Sequence, residues 1–88
     1  MKIYKWPLQV VYTQILEMPA NAKILTVQMQ HDTPCLWALF DETTSGLENR
    51  HIAIYGTGNP MPNEPGTYIA TFQIAKGSLV FHVFEFTP

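Results

Sequence analysis

The clearest signal along the chain is alternation of apolar and polar positions with period two, the repeat of a half-buried β-strand. Leu25, Val27 and Met29 alternate with Thr26, Gln28 and Gln30 across Lys23–Gln30, so these three apolar side chains are expected to face a core. His31-Asp32-Thr33-Pro34 then carries turn chemistry. In Cys35–Asp41, Leu36, Ala38 and Phe40 alternate with Cys35, Trp37 and Leu39. A segment apolar on both faces marks a central strand, and the two runs read as a hairpin.

The rest of the chain extends the pattern. Glu42–Asn49 is mostly polar and reads as a loop, and Arg50–Tyr55 as a short strand with Ile52 and Ile54 on one face and His51, Ala53 and Tyr55 on the other. Thr67–Ala75 is a strand with Tyr68, Ala70, Phe72 and Ile74 on one face. Lys76-Gly77 signals a tight turn before Leu79–Phe86, where Leu79, Phe81 and Val83 oppose Val80, His82, Phe84 and Phe86. Near the start, Lys2–Trp6 is a strand ended by Pro7. Val10–Met18 has strand composition with imperfect alternation, and a helix over Leu8–Glu17 is the alternative. The fold class that follows is all-β: six or seven short, mainly antiparallel strands in a small sandwich or barrel, forming a single domain over residues 1–88.

Composition sharpens this picture. An 88-residue chain of this kind should expose roughly 5,200 Å² when folded. Hydrophobic residues make up 47% of it and charged residues only 14%, against about 25% in ordinary domains. So few charges coat a small domain thinly, and a homo-oligomer is expected to cover the remaining apolar surface. Net charge is −2, with Lys2, Lys5, Lys23, Arg50 and Lys76 scattered, so no basic face for general nucleic-acid binding is present. The lone Cys35 suits a reducing compartment. Met-Lys-Ile-Tyr-Lys-Trp has no signal-peptide core and no run reaches spanning length, which gives the expectation of a soluble cytosolic chain with no membrane partner.

The densest local chemistry lies in Ile54–Gly66, which holds three of the five glycines and three of the seven prolines. Gly56-Thr57-Gly58 invites comparison with phosphate-binding loops, but Asn59-Pro60-Met61-Pro62 supplies neither the lysine nor the helix such a loop needs. A stiff connection on the rim of a binding surface is the remaining functional reading beside a plain structural turn. The candidate ligand or partner contacts are Arg50, His51, Tyr55 and the loop residues Gly56, Thr57, Gly58 and Asn59. Trp37 is expected in the core, and Tyr55 is the foremost contact residue. His51 and His82 lie on strands that would bring them close if paired. No histidine pair has metal-ligand spacing, no nucleophile stands beside a base, and neither cofactor nor metal is expected; the chain is read as a non-enzyme.

The runs Lys2-Ile3-Tyr4-Lys5-Trp6-Pro7-Leu8, Pro34–Asp41, Ile54–Pro60, Tyr68–Gln73 and Val80–Glu85 resemble a family of very small accessory proteins encoded by tailed bacteriophages. That family has no established function, so no residue role carries over. The resemblance implies action in the host cytoplasm, as a non-enzymatic, homo-oligomeric inhibitor of antiviral defence. Such a protein would sequester a small nucleotide-type signal or block a host defence protein. A virion or assembly component with a purely structural role is the alternative.

Overall fold

The computed structural model describes residues 1–88 as seven strands in two antiparallel sheets. In chain order the strands are β1 (Lys2–Pro7), β2 (Thr13–Pro19), β3 (Lys23–Gln30), β4 (Thr33–Phe40), β5 (Leu47–Gly56), β6 (Thr67–Ile74) and β7 (Leu79–Phe86). One sheet has the order β1-β4-β3 and the other β2-β5-β7-β6. They pack as a flat sandwich with extents of 41 × 31 × 15 Å. The all-β expectation holds, and β4 is the central strand of its sheet.

The core lies between the sheets. Val27, Leu36, Ala38 and Phe40 from one sheet meet Met18, Ile52, Ile54, Ala70, Phe72 and Val83 from the other. Simple alternation places most of these. Two β-bulges break it. The pairing of β3 with β4 shifts between Ile24 and Thr26, so Ile24 packs on the core and Leu25 is turned out to solvent. The pairing of β6 with β7 shifts between Tyr68 and Ala70, so Ile69 packs inward and Tyr68 is exposed. One extra residue reverses the parity of everything before it. The expected core position of Leu25, and the expected sharing of one face by Tyr68 with Ala70 and Phe72, are therefore corrected.

Three boundaries also differ. β2 begins at Thr13, three positions later than expected, because Val10–Tyr12 bend out of the strand. No helix forms there. β5 begins at Leu47, inside the expected loop, where Leu47, Glu48 and Asn49 pair with Pro19, Met18 and Glu17. β6 ends at Ile74, because Ala75, Lys76 and Gly77 all take positive φ and form a left-handed turn closed by Ser78 N–H on the Ala75 carbonyl. Trp37 also departs from expectation. It lies on the face of β4 opposite Leu36 and Ala38, half-buried between Lys5 and Thr26 and outside the core.

Both β5 and β6 run antiparallel to β7, which lies between them. They are thus parallel to each other, and no hairpin turn can join them. The chain leaves β5 at Gly56, opposite Phe81, and enters β6 at Thr67, opposite Glu85. Those positions lie four residues apart on β7, about 13 Å. The Gly/Pro segment Thr57–Gly66 therefore travels back along the sheet. Pro62, Glu64 and Pro65 lie beside Tyr55 and Phe86 on its outer face. This strap explains why β5 is buried on both sides from Ile52 to Tyr55.

Candidate functional site

Parity along β5 divides the expected contact residues. Arg50 shares a face with Ile52 and Ile54 and points inward, whereas His51 and Tyr55 point outward. At the sandwich edge the Arg50 guanidinium meets the Glu85 carboxylate twice: Nε donates to Oε2, and Nη2 donates to Oε1 at 2.9 Å. Its Nη1 donates to the Ala22 carbonyl at 2.7 Å and to Glu48 at 3.4 Å. The hydrogen bond to Glu85 holds the Arg50 pKa above its ordinary range, against the opposing effect of burial. Glu48 in turn accepts the Asn21 amide at 2.9 Å. This is a closed clamp joining β5, β7 and the β2–β3 turn. Arg50 has no free donor pair to offer an anionic ligand.

His51 is separated in another way. In the β5–β7 register it stands opposite Phe86, and its ring packs there at 5.6 Å, while His82 stands opposite Tyr55. The two histidines are four strand positions apart and do not converge, although their strands pair. His82 instead anchors a chain of hydroxyls. Its Nε2 is 2.7 Å from Thr57 Oγ1, its Nδ1 is 3.0 Å from Thr71 Oγ1, and Thr71 Oγ1 is 2.7 Å from the Tyr68 hydroxyl.

The loop tip is a tight turn. Asn59 N–H donates to the Gly56 carbonyl at 3.0 Å, with Gly58 at φ +86°, a conformation that glycine takes without strain. Thr57 N–H donates to the Val80 carbonyl at 3.0 Å. Two of the four amides of the expected contact residues Gly56 to Asn59 are therefore already used inside the fold.

Tyr55, Gly56 and Asn59 are the members of the expected set that come together. They line a cleft of about 400 Å³ at the end of the sandwich. Its other wall is Val10, Val11 and Tyr12, with Pro60 at the rim and Phe81 behind. No lysine or arginine lines it. Tyr55 is 6% exposed and forms the floor, while Tyr12, 63% exposed, stands over it with the two rings 5.5 Å apart and nearly edge-on. Tyr55 also meets Phe84, and Phe84 meets Tyr68, so four rings cross the sheet from the segment before β2 to β6. Burial raises the Tyr55 pKa, and the Tyr12 hydroxyl raises it further. The foremost contact residue expected from the sequence is thus mostly covered, and Tyr12 presents the accessible ring.

Val10, Val11 and Tyr12 were not among the expected contacts. Their signal is the failure of alternation itself: three consecutive apolar residues cannot share one face of a strand, and here they leave it.

No curated protein and no solved structure matches the chain. Residues 1–88 match the family described as a domain of unknown function, DUF7352, and the chain belongs to that family.

Proposed function

We propose that this chain is a non-enzymatic phage accessory protein that inhibits a host antiviral defence by binding a host protein through its end cleft. The observation that carries this reading is the cleft's lining: an exposed apolar wall of Val10, Val11 and Tyr12 beside a hollow of about 400 Å³ without a cation. A hollow of that kind accepts an apolar or aromatic side chain of a partner, and an aromatic rim residue anchors the contact. Asn59 adds an amide to orient it. The nucleotide-sequestering version has less support, because Arg50 is bound to Glu85 and a phosphate in the cleft would meet no positive charge. The phage context rests on the sequence resemblance.

Capture from bacterial lysate tests this. Tagged wild-type chain should retain one stoichiometric host protein, and Val11→Asp should lose it while keeping the same thermal midpoint. Retention of the partner by Val11→Asp would move the interface elsewhere. Binding heat with a nucleotide, and no protein retained, would replace the protein target by a small ligand.

A further inference from the structure

Two open sheets leave four strand edges, and an unprotected edge is a template for another strand. β3 and β6 each carry a bulge, and they lie against one another across the sandwich. β2 is regular, but Trp6 reaches over from β1 and its Nε1–H donates to the Glu17 carbonyl at 3.1 Å, and Pro19 ends the strand. β1 differs from all three. It pairs with β4 in unbroken register from Lys2 to Pro7, and no side chain caps its backbone. Both of its faces are open at Ile3 (54% exposed) and Tyr4 (52% exposed). Tyr4 lies on the core side, its ring edge-on to the buried Phe40 at 5.0 Å, so a half-exposed ring is all that covers the core at this margin.

We infer that β1 is the seam of a two-fold dimer. The β1 strands of two copies pair antiparallel and join their three-stranded sheets into one of six. Exposure leaves surface for such a contact, since the chain exposes 5708 Å², about 500 Å² more than a compact monomer of its mass. Charge and register point to a second copy as the occupant. Pairing centred on Tyr4 sets Tyr4 against the partner's Tyr4, Ile3 against the partner's Lys5, and Lys2 against the partner's Trp6. No lysine then faces a lysine, and Lys2 can lie against an indole. The surface is self-complementary, as a two-fold contact requires. It is separate from the end cleft, so it stands whether or not the cleft binds a host protein.

Light scattering on the purified chain decides the matter. Wild type is expected at twice the 10.0 kDa of the chain. Tyr4→Lys places like charges at the two-fold axis and should halve the measured mass with an unchanged circular dichroism spectrum. Mixing Tyr4→Lys with Tyr4→Glu should restore the doubled mass. Should Tyr4→Lys fail to fold, Ile3→Lys, which faces the partner's Lys5 from the solvent side, should give the monomer instead. A monomeric wild type, or a folded Tyr4→Lys that keeps the doubled mass, overturns the seam.

Discussion

The two ends of β5 use the same strand for opposite purposes. At its start, Arg50 turns a charged side chain into the sandwich, where Glu85, Glu48 and the Ala22 carbonyl satisfy it. At its end, Tyr55 and Gly56 floor a cleft whose wall is exposed and apolar. One end is polar and closed; the other is apolar and open. The charge that looked available for a ligand thus serves the fold, and the open end lacks a charge. In a chain with so few ionisable residues, a half-buried arginine is better sought in an ion pair than in a binding site.

The closed end should be the fragile one. Gly66, at φ +101°, brings the strap down against β7, and a Cβ there would lie 2.2 Å from the Glu85 carbonyl oxygen. Backbone cannot yield as a flexible side chain can, and that φ strains any other residue. Gly66→Ala should therefore remove about 4 kcal/mol or more, a large fraction of the stability of a small domain. Urea unfolding would read this directly, and a midpoint close to wild type would mean that the strap is not anchored at Glu85.

Arg50→Met comes next. It keeps the length of the side chain but leaves Glu85 and the Ala22 carbonyl without their donor. Removing one member of a fully buried pair costs about 3–5 kcal/mol; solvent reaches this pair in part, so about 2 kcal/mol is expected. Arg50→Lys should recover little, since the paired hydrogen bonds to Glu85 need the planar fork. If Arg50→Met matched wild type in the same titration, the closed end would contribute no net stability.

Most of the sandwich could be read from period two, because Val27, Leu36, Ile52 and Val83 obey it. The bulges could not. Neither Leu25 nor Ile69 is a glycine or otherwise marks an extra residue, and a bulge shows only in the register of two strands. Arg50 offered a clue, since it lies on the apolar face of its strand with Ile52 and Ile54. Its partner Glu85 is 35 residues away, and only the β5–β7 register brings them together. The cleft was half legible: the Gly/Pro loop marked one wall, while the other came from a segment whose departure from β2 depends on where pairing with β5 stops.

Alkaline titration probes the open end. The Tyr55 pKa is raised, by burial first and by Tyr12 second, so the folded chain holds that proton more tightly than the unfolded chain. The stabilisation is complete below the unfolded value of about 10 and is lost as pH rises through the folded value. Thermal midpoints should fall in that window, and Tyr55→Phe should flatten part of the fall. An alkaline limb identical in the two proteins would mean that another group drives it.

The smallest effect expected distinguishes two ways of holding the loop tip at that same end. The tip is stiffened from within by the Gly56–Asn59 turn and the following prolines, and tied from outside by Thr57 to His82. Thr57→Val removes only side-chain bonds, the one to His82 and the longer one that Thr57 Oγ1 donates to the Val80 carbonyl at 3.3 Å, because the Thr57 amide keeps its own bond to that carbonyl. A net loss of about 0.5–1 kcal/mol is expected for these exposed hydrogen bonds, too little to alter the fold. Amide exchange separates the alternatives. If the His82 tie holds the tip, the Asn59 amide should exchange several-fold faster in Thr57→Val, while amides of the Arg50 end stay unchanged. If Asn59 exchange is also unchanged, the turn and prolines hold the tip without help. The rim of the cleft would then be rigid independently of the hydroxyl chain running through His82 to Tyr68.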